Sequence, residues 1–102
     1  MIDLEKITGF DWDSGNARKN ERHGVSMAEA EQVFFNAPLL LPDSEHSHAE
    51  SRIHALGRTT EGRRLHITFT LRHESELIRV ISARDMHRKE RAIYEQASKD
   101  NS

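Results

Sequence analysis

The sequence contains no cysteine, so no disulfide can brace the fold and no thiolate can bind a metal. A reducing compartment is the natural setting for such a chain. Long apolar runs are also missing. Residues 1–20 offer none, so neither a signal peptide nor a membrane span is expected, and the cytoplasm is the expected location with no membrane partner. Hydrophobic residues make up only 35% of the 102 positions and charged residues 31%. Such a chain supports one domain over residues 1–102 and one thin core, a sheet covered on one face and not a three-layer sandwich. Neither an internal repeat nor a low-complexity tract interrupts it.

What the chain does have is an uneven charge. The formal net charge is only −2, yet residues 1–51 carry four Lys/Arg against ten Asp/Glu, while residues 52–91 carry ten Lys/Arg against five. Nine of those ten are arginines, whose planar fork suits phosphate. A basic block of this kind is a hint of a polyanion partner.

Hydrophobic spacing orders the elements. Phe10-Asp11-Trp12-Asp13 reads as a short strand, and Asp13 or Ser14 can cap a helix that stops at Gly24. Ser26 and Glu29 have capping-box spacing ahead of Ala30, Val33 and Phe34, in a helix that must end before Pro38. Leu39–Leu41 before Pro42 suggests an edge strand, and Asp43–Ser51 a polar loop. Arg52–Arg58 then reads as a strand, Thr59–Gly62 as a turn, and Leu65, Ile67, Phe69 and Leu71 alternate with His66, Thr68, Thr70 and Arg72. His73–Glu76 makes another turn before the central strand Leu77–Ala83. A helix from Met86 to about Ala97 closes the order β-α-α-β-β-β-β-α, with Met86, Ile93, Tyr94 and Ala97 on one side.

Hairpin-length connections make this an α+β fold with an antiparallel sheet and all helices on one face. Arg64, His66, Thr68 and Arg72 would then share an open, basic floor. His46 and His48, with Glu45 and Glu50, lie in a loop with nothing to fix a coordination geometry, so no metal and no cofactor is expected.

Four segments, in order and at this spacing, resemble the BrnT toxins, a branch related to the RelE/ParE-like toxin fold. They are Phe10–Asp13; Asn20–Ser26, which contains His23-Gly24-Val25; Arg52 with Leu56-Gly57-Arg58; and Ile78–Arg84 followed by Arg88–Arg91 and Tyr94. The resemblance spans roughly Phe10 to Tyr94. The chain departs from the family pattern at Asn16, where lysine is common, and at Met27, where phenylalanine is.

The resemblance implies a metal-independent endoribonuclease whose substrate is RNA. It also implies a cognate BrnA-like antitoxin that neutralises the toxin and binds operator DNA. Metal-free RNA cleavage needs a base for the 2′-OH, cations for the phosphorane and an acid for the leaving oxygen. Arg64 on the open strand and Arg79, a charge inside an apolar strand, are the first choices as cations. An ion pair that fixes register is the alternative for Arg79. His23, carried by the family motif, and His66, beside Arg64, are the candidate proton-transfer groups. His23 could equally bond the last carbonyls of its helix. Arg58, Arg72, Arg84 and Arg88 form the expected RNA-binding set. A non-catalytic RNA-binding module and a gyrase-directed toxin on the same fold stay open beside this reading.

Overall fold

The computed structural model describes residues 3–43 and 51–100. His46, His48, Glu45 and Glu50 lie outside them. After a single 3-10 turn, Leu4–Lys6, the chain runs β1 (Gly9–Phe10), α1 (Ser14–Arg22), α2 (Met27–Phe35), β2 (Leu39–Pro42), β3 (Ile53–Arg58), β4 (Arg64–Arg72), β5 (Leu77–Asp85) and α3 (Arg88–Asp100). The element order is the one the sequence suggests. Among the described residues, no helix is long and apolar enough to cross a membrane.

The sheet is mixed, not purely antiparallel. Its order is β1-β5-β4-β3-β2, and β1 runs parallel to β5, pairing Gly9 with Leu77 and Phe10 with Ile78. The chain returns to the sheet's far edge instead of closing a hairpin, which the local pattern of a two-residue strand cannot reveal. All other pairings are antiparallel.

Ala55, Leu65, Ile67, Phe69, Ile78, Val80 and Ala83 meet Val25, Ala30, Val33 and Phe34 in the main core. Phe34 stacks edge-on against Phe69 with ring centroids 5.0 Å apart. Gly57 lets α2 approach β3, since a Cβ there would stand 2.7 Å from Val33 Cγ1 and 3.3 Å from Pro38 Cβ. Ser26 and Glu29 form the expected capping box, with Glu29 N–H donating to Ser26 Oγ and Ser26 N–H to Glu29 Oε1.

The short β1 leaves most of the outer edge of β5 unpaired, and α1 covers it with two asparagines one turn apart. Asn16 Nδ2 donates to the Val80 carbonyl at 3.0 Å, and Asn20 Oδ1 accepts from the Ala83 amide at 2.8 Å. These are the buried residues of α1, so the helix is docked by hydrogen bonds at an i, i+4 spacing and not by an apolar stripe. Asn16 Oδ1 also accepts from the Asp13 amide, which completes a second capping box. The departure from lysine at this position therefore serves the sheet edge.

Helices do not all lie on one face. α3 crosses the opposite side of the sheet, against β3. The expected open floor is accordingly closed over its middle: the His66 side chain is 13% exposed and Thr68 9%, while Arg64 at its edge stays 45% exposed. Leu56, on this second face as the partner of His66, is buried as well. A polar strand face reads as solvent-facing, but here it is matched by a polar helix. α3 buries none of its residues fully, and Ile93 remains 43% exposed. Met86 is buried just ahead of α3 and is not part of it.

Candidate active site on the second face

The β3–β4 register places His54 opposite Thr68 and Leu56 opposite His66, so the two histidines are diagonal neighbours on the face under α3. Their rings touch: His66 Nε2 lies 2.8 Å from His54 Nδ1, which also meets Thr68 Oγ1 at 3.0 Å. Carboxylates stand at both ends. Asp43 Oδ2 is 3.1 Å from His54 Nε2, and Glu90 Oε2 is 2.9 Å from His66 Nδ1. Arg84, across the ladder from His66, grips Glu90 with both Nη atoms at 2.8 and 2.9 Å.

This row of Asp43, His54, His66 and Glu90 has three short contacts, each of which needs one proton. Two neutral imidazoles supply only two. One contact is therefore short of a proton, and His66 Nδ1 is a buried atom left without a hydrogen-bond match. Burial pushes the His66 ring down to about 4, reinforced by Arg84, His54 and His87 and opposed by Glu90. Burial works to raise the Glu90 carboxyl, but Arg84, the His87 amide and His66 hold it down to about 2. At neutral pH the His66 ring is therefore neutral, and its Nδ1 faces the Glu90 carboxylate in a contact that protonation of the ring would match.

The other predicted residues fall in three places. Arg58 and Arg64 are cross-strand partners beside α3 and line a cleft of about 640 Å³ with Asn36, Tyr94 and Glu95. Arg64 Nη2 meets Glu95 at 3.3 Å. Arg88, exposed, opens α3. Arg79 and Arg72 lie toward the far end of the sheet, where Thr70 pairs with Arg79 and Arg72 with Leu77. Four residues along β4 is about 13 Å from His66. Arg79 donates to Asp13 Oδ2 at 2.8 Å and approaches Asp11 at 3.6 Å, and these partners raise its proton affinity. The pair ties β5 to the start of α1. His23 caps the C-terminus of α1 with Gly24 beyond it at φ +72°, in the helical layer of the first face and away from His66.

Arg63, next to Arg64, has a structural role that strand alternation does not signal. It donates to the Gly24 carbonyl, Glu29 and Asp85 and so ties α1, α2 and β5 together. Asp43 and Glu90, on a loop and a polar helix, give no sequence signal that they meet the histidines. A larger hollow of about 1050 Å³ lies at the other end of the sheet around Leu40, Leu71 and Glu76, but its described lining includes no imidazole and only Lys6 as a cation.

A family model described as the ribonuclease toxin, BrnT, of type II toxin–antitoxin systems matches residues 12–90. The 1.1 Å crystal structure of the Brucella abortus ribonuclease toxin, BrnT, superposes with a TM-score of 0.59 at 23% identity, covering 78% of this chain and 97% of that one. At that identity it speaks for the fold alone. No curated protein sequence matches. The family match covers α1, α2, all of β2–β5 and the row from His54 to Glu90, and on that footing the chain belongs to the BrnT family of ribonuclease toxins of type II toxin–antitoxin systems.

Proposed function

We propose that this chain is a metal-independent endoribonuclease whose chemistry is centred on the His54–His66 pair, with Arg84, Arg64 and Arg58 as phosphate ligands. The observation that carries this reading is the 2.8 Å contact between two imidazoles in a row one proton short, beside the Arg84 guanidinium. In the reaction the histidine row takes the 2′-OH proton as O2′ bonds to phosphorus. The P–O5′ bond breaks, and the leaving 5′-oxygen receives a proton from the protonated row. The arginines hold the non-bridging oxygens of the phosphorane. The cleft between Arg58, Arg64 and Tyr94 suits the neighbouring nucleotide, with phosphate on the guanidinium groups and a base against the ring. Arg79 and His23 serve the scaffold in this reading.

The same reading places the protein in the cytoplasm, neutralised by a BrnA-like antitoxin through which operator DNA is bound. The test is incubation of the purified protein with RNA in excess EDTA. Cleavage that persists in EDTA and is lost in His54→Asn and His66→Asn supports the assignment. Retarded but intact RNA would instead indicate a binding module, and inhibited DNA supercoiling a gyrase poison.

A further inference from the structure

Each ring nitrogen of the histidine row stands within 3.1 Å of a polar neighbour, and the Arg84 guanidinium beside it is already holding an anion. That anion belongs to α3. Glu90 Oε1 accepts from Arg84 Nη1 and from the His87 amide, each at 2.8 Å. Glu90 Oε2 accepts from Arg84 Nη2 at 2.9 Å and faces His66 Nδ1 at 2.9 Å. A carboxylate here presents two equivalent oxygens sharing one negative charge to a guanidinium fork, a backbone amide and an imidazole. A phosphodiester presents the same charge on two non-bridging oxygens, and the same donors would fit it.

We propose that this is an anion seat for an RNA phosphodiester, with Glu90 as its resident occupant, so that substrate must displace the start of α3 to reach His66. The inference rests on the ribonuclease reading above and adds to it a site and its regulation. The hold of α3 on the sheet is weak enough for such exchange. None of its residues is buried, and its charged ties to the sheet include Glu90 with Arg84 and His66, and Glu95 with Arg64. Tyr94 and Ala97 are only half-buried. A free helix of 13 residues is marginal in water. The family match ends at Glu90, so the greater part of α3 lies beyond it. Lifting Glu90 also uncovers His66, which burial keeps neutral, and so exposes the base when phosphate arrives.

The experiment titrates inorganic phosphate into the parent protein and Glu90→Ala while following the His66 ring by NMR. The vacated seat should bind phosphate at least about tenfold more tightly than the parent, because a tethered competitor has been removed. Arg84→Gln in the same background should cancel the gain, and Glu21→Ala, which removes an equal charge from α1, should produce none. Glu90→Ala binding phosphate no better than the parent, or a gain that survives loss of Arg84, would overturn the proposal. Should Glu90→Ala fail to fold, Glu90→Gln answers the same question with a gain of at least about threefold. RNA cleavage measured on the same proteins separates the two readings. Tighter phosphate binding without cleavage by the parent keeps the seat and removes the ribonuclease assignment, whereas cleavage without the gain does the reverse.

Discussion

Arg79 and Arg84 sit on the same strand and carry the same charge, but the proposed function gives them opposite roles, and exchanging each for glutamine separates them. The Arg79 side chain is 23% exposed and its partner Asp13 53%, so their ion pair stands largely in water and contributes little. Asp13 keeps the amides of Gly15 and Asn16 without it, so the start of α1 survives. Arg79→Gln should lower the melting temperature by about 5 °C or less, on the scale of 4–8 °C per kcal/mol for a domain this size. RNA cleavage should stay within about threefold of the parent, since His66 lies about 13 Å away along the sheet. Arg84 has no such freedom. It faces His66 across the ladder and would hold phosphate during reaction. Losing a charge-stabilising donor of that kind costs about 10²–10³ in rate, or roughly 3–4 kcal/mol of barrier. The assay is single-turnover cleavage of a fluorogenic RNA in EDTA, with circular dichroism to confirm the fold. A hundredfold loss in folded Arg79→Gln, or undiminished cleavage by Arg84→Gln, would refute this division of roles.

Two further outcomes concern stability. Asn20→Ala strips the Ala83 amide of its acceptor in a position only 1% exposed, and it also removes an Nδ2 that has no partner. The net loss should be about 1–2 kcal/mol in urea unfolding, with cleavage chemistry intact in the folded fraction. The acid limb of stability should report His66. Its ring binds a proton only near pH 4 in the native state but near 6.5 when unfolded. Unfolding therefore takes up a proton between those values, so stability is flat above pH 6.5 and falls as pH drops toward 4. The Glu90 carboxyl, held down to about 2, adds its own loss below about 4.5. Thermal melts from pH 7.5 to 5 should show the decline in the parent and a flatter profile in His66→Gln, and matching profiles would exclude the buried-neutral ring.

Most of the fold was legible because its signals are local. Ser26 with Glu29, Gly24 after His23 and the alternation from Leu65 to Leu71 each report their own element, and each appears where the pattern puts it. The site was less legible because it depends on register. A four-residue turn at Thr59–Gly62 would set Arg58 against Arg63 and place Leu56 beside Leu65. The observed turn also takes in Arg63, so Arg58 faces Arg64 and Leu56 faces His66. One residue of slip decides which face a side chain occupies. That slip brings His54 diagonal to His66 and frees Arg63 to tie the helices. Glu90 could not be foreseen from periodicity at all. A helix with one half-buried tyrosine and exposed Ile93 gives no signal for which face of a sheet it will cover.

The carboxylates that hold Arg84 and Arg64 share one source, and this decides how the face can be controlled. Arg63 is held by Glu29 on α2 and Asp85 on β5, and Arg79 by two aspartates around the start of α1, so the scaffold arginines are fixed from rigid elements that pack elsewhere. Arg84 and Arg64 are different: Glu90 and Glu95 both come from α3. With α3 seated, the second face is electrically quiet and His66 is dry. With α3 displaced, two guanidinium groups and an imidazole are released together, because one helix carries both counter-charges. A partner protein can suppress such a face without deforming the sheet, either by pressing α3 down or by laying carboxylates of its own across Arg64 and Arg84. The first leaves Glu90 on Arg84 and the second removes it, so the two modes differ in which carboxylate touches the guanidinium, while both deny the same seat to RNA.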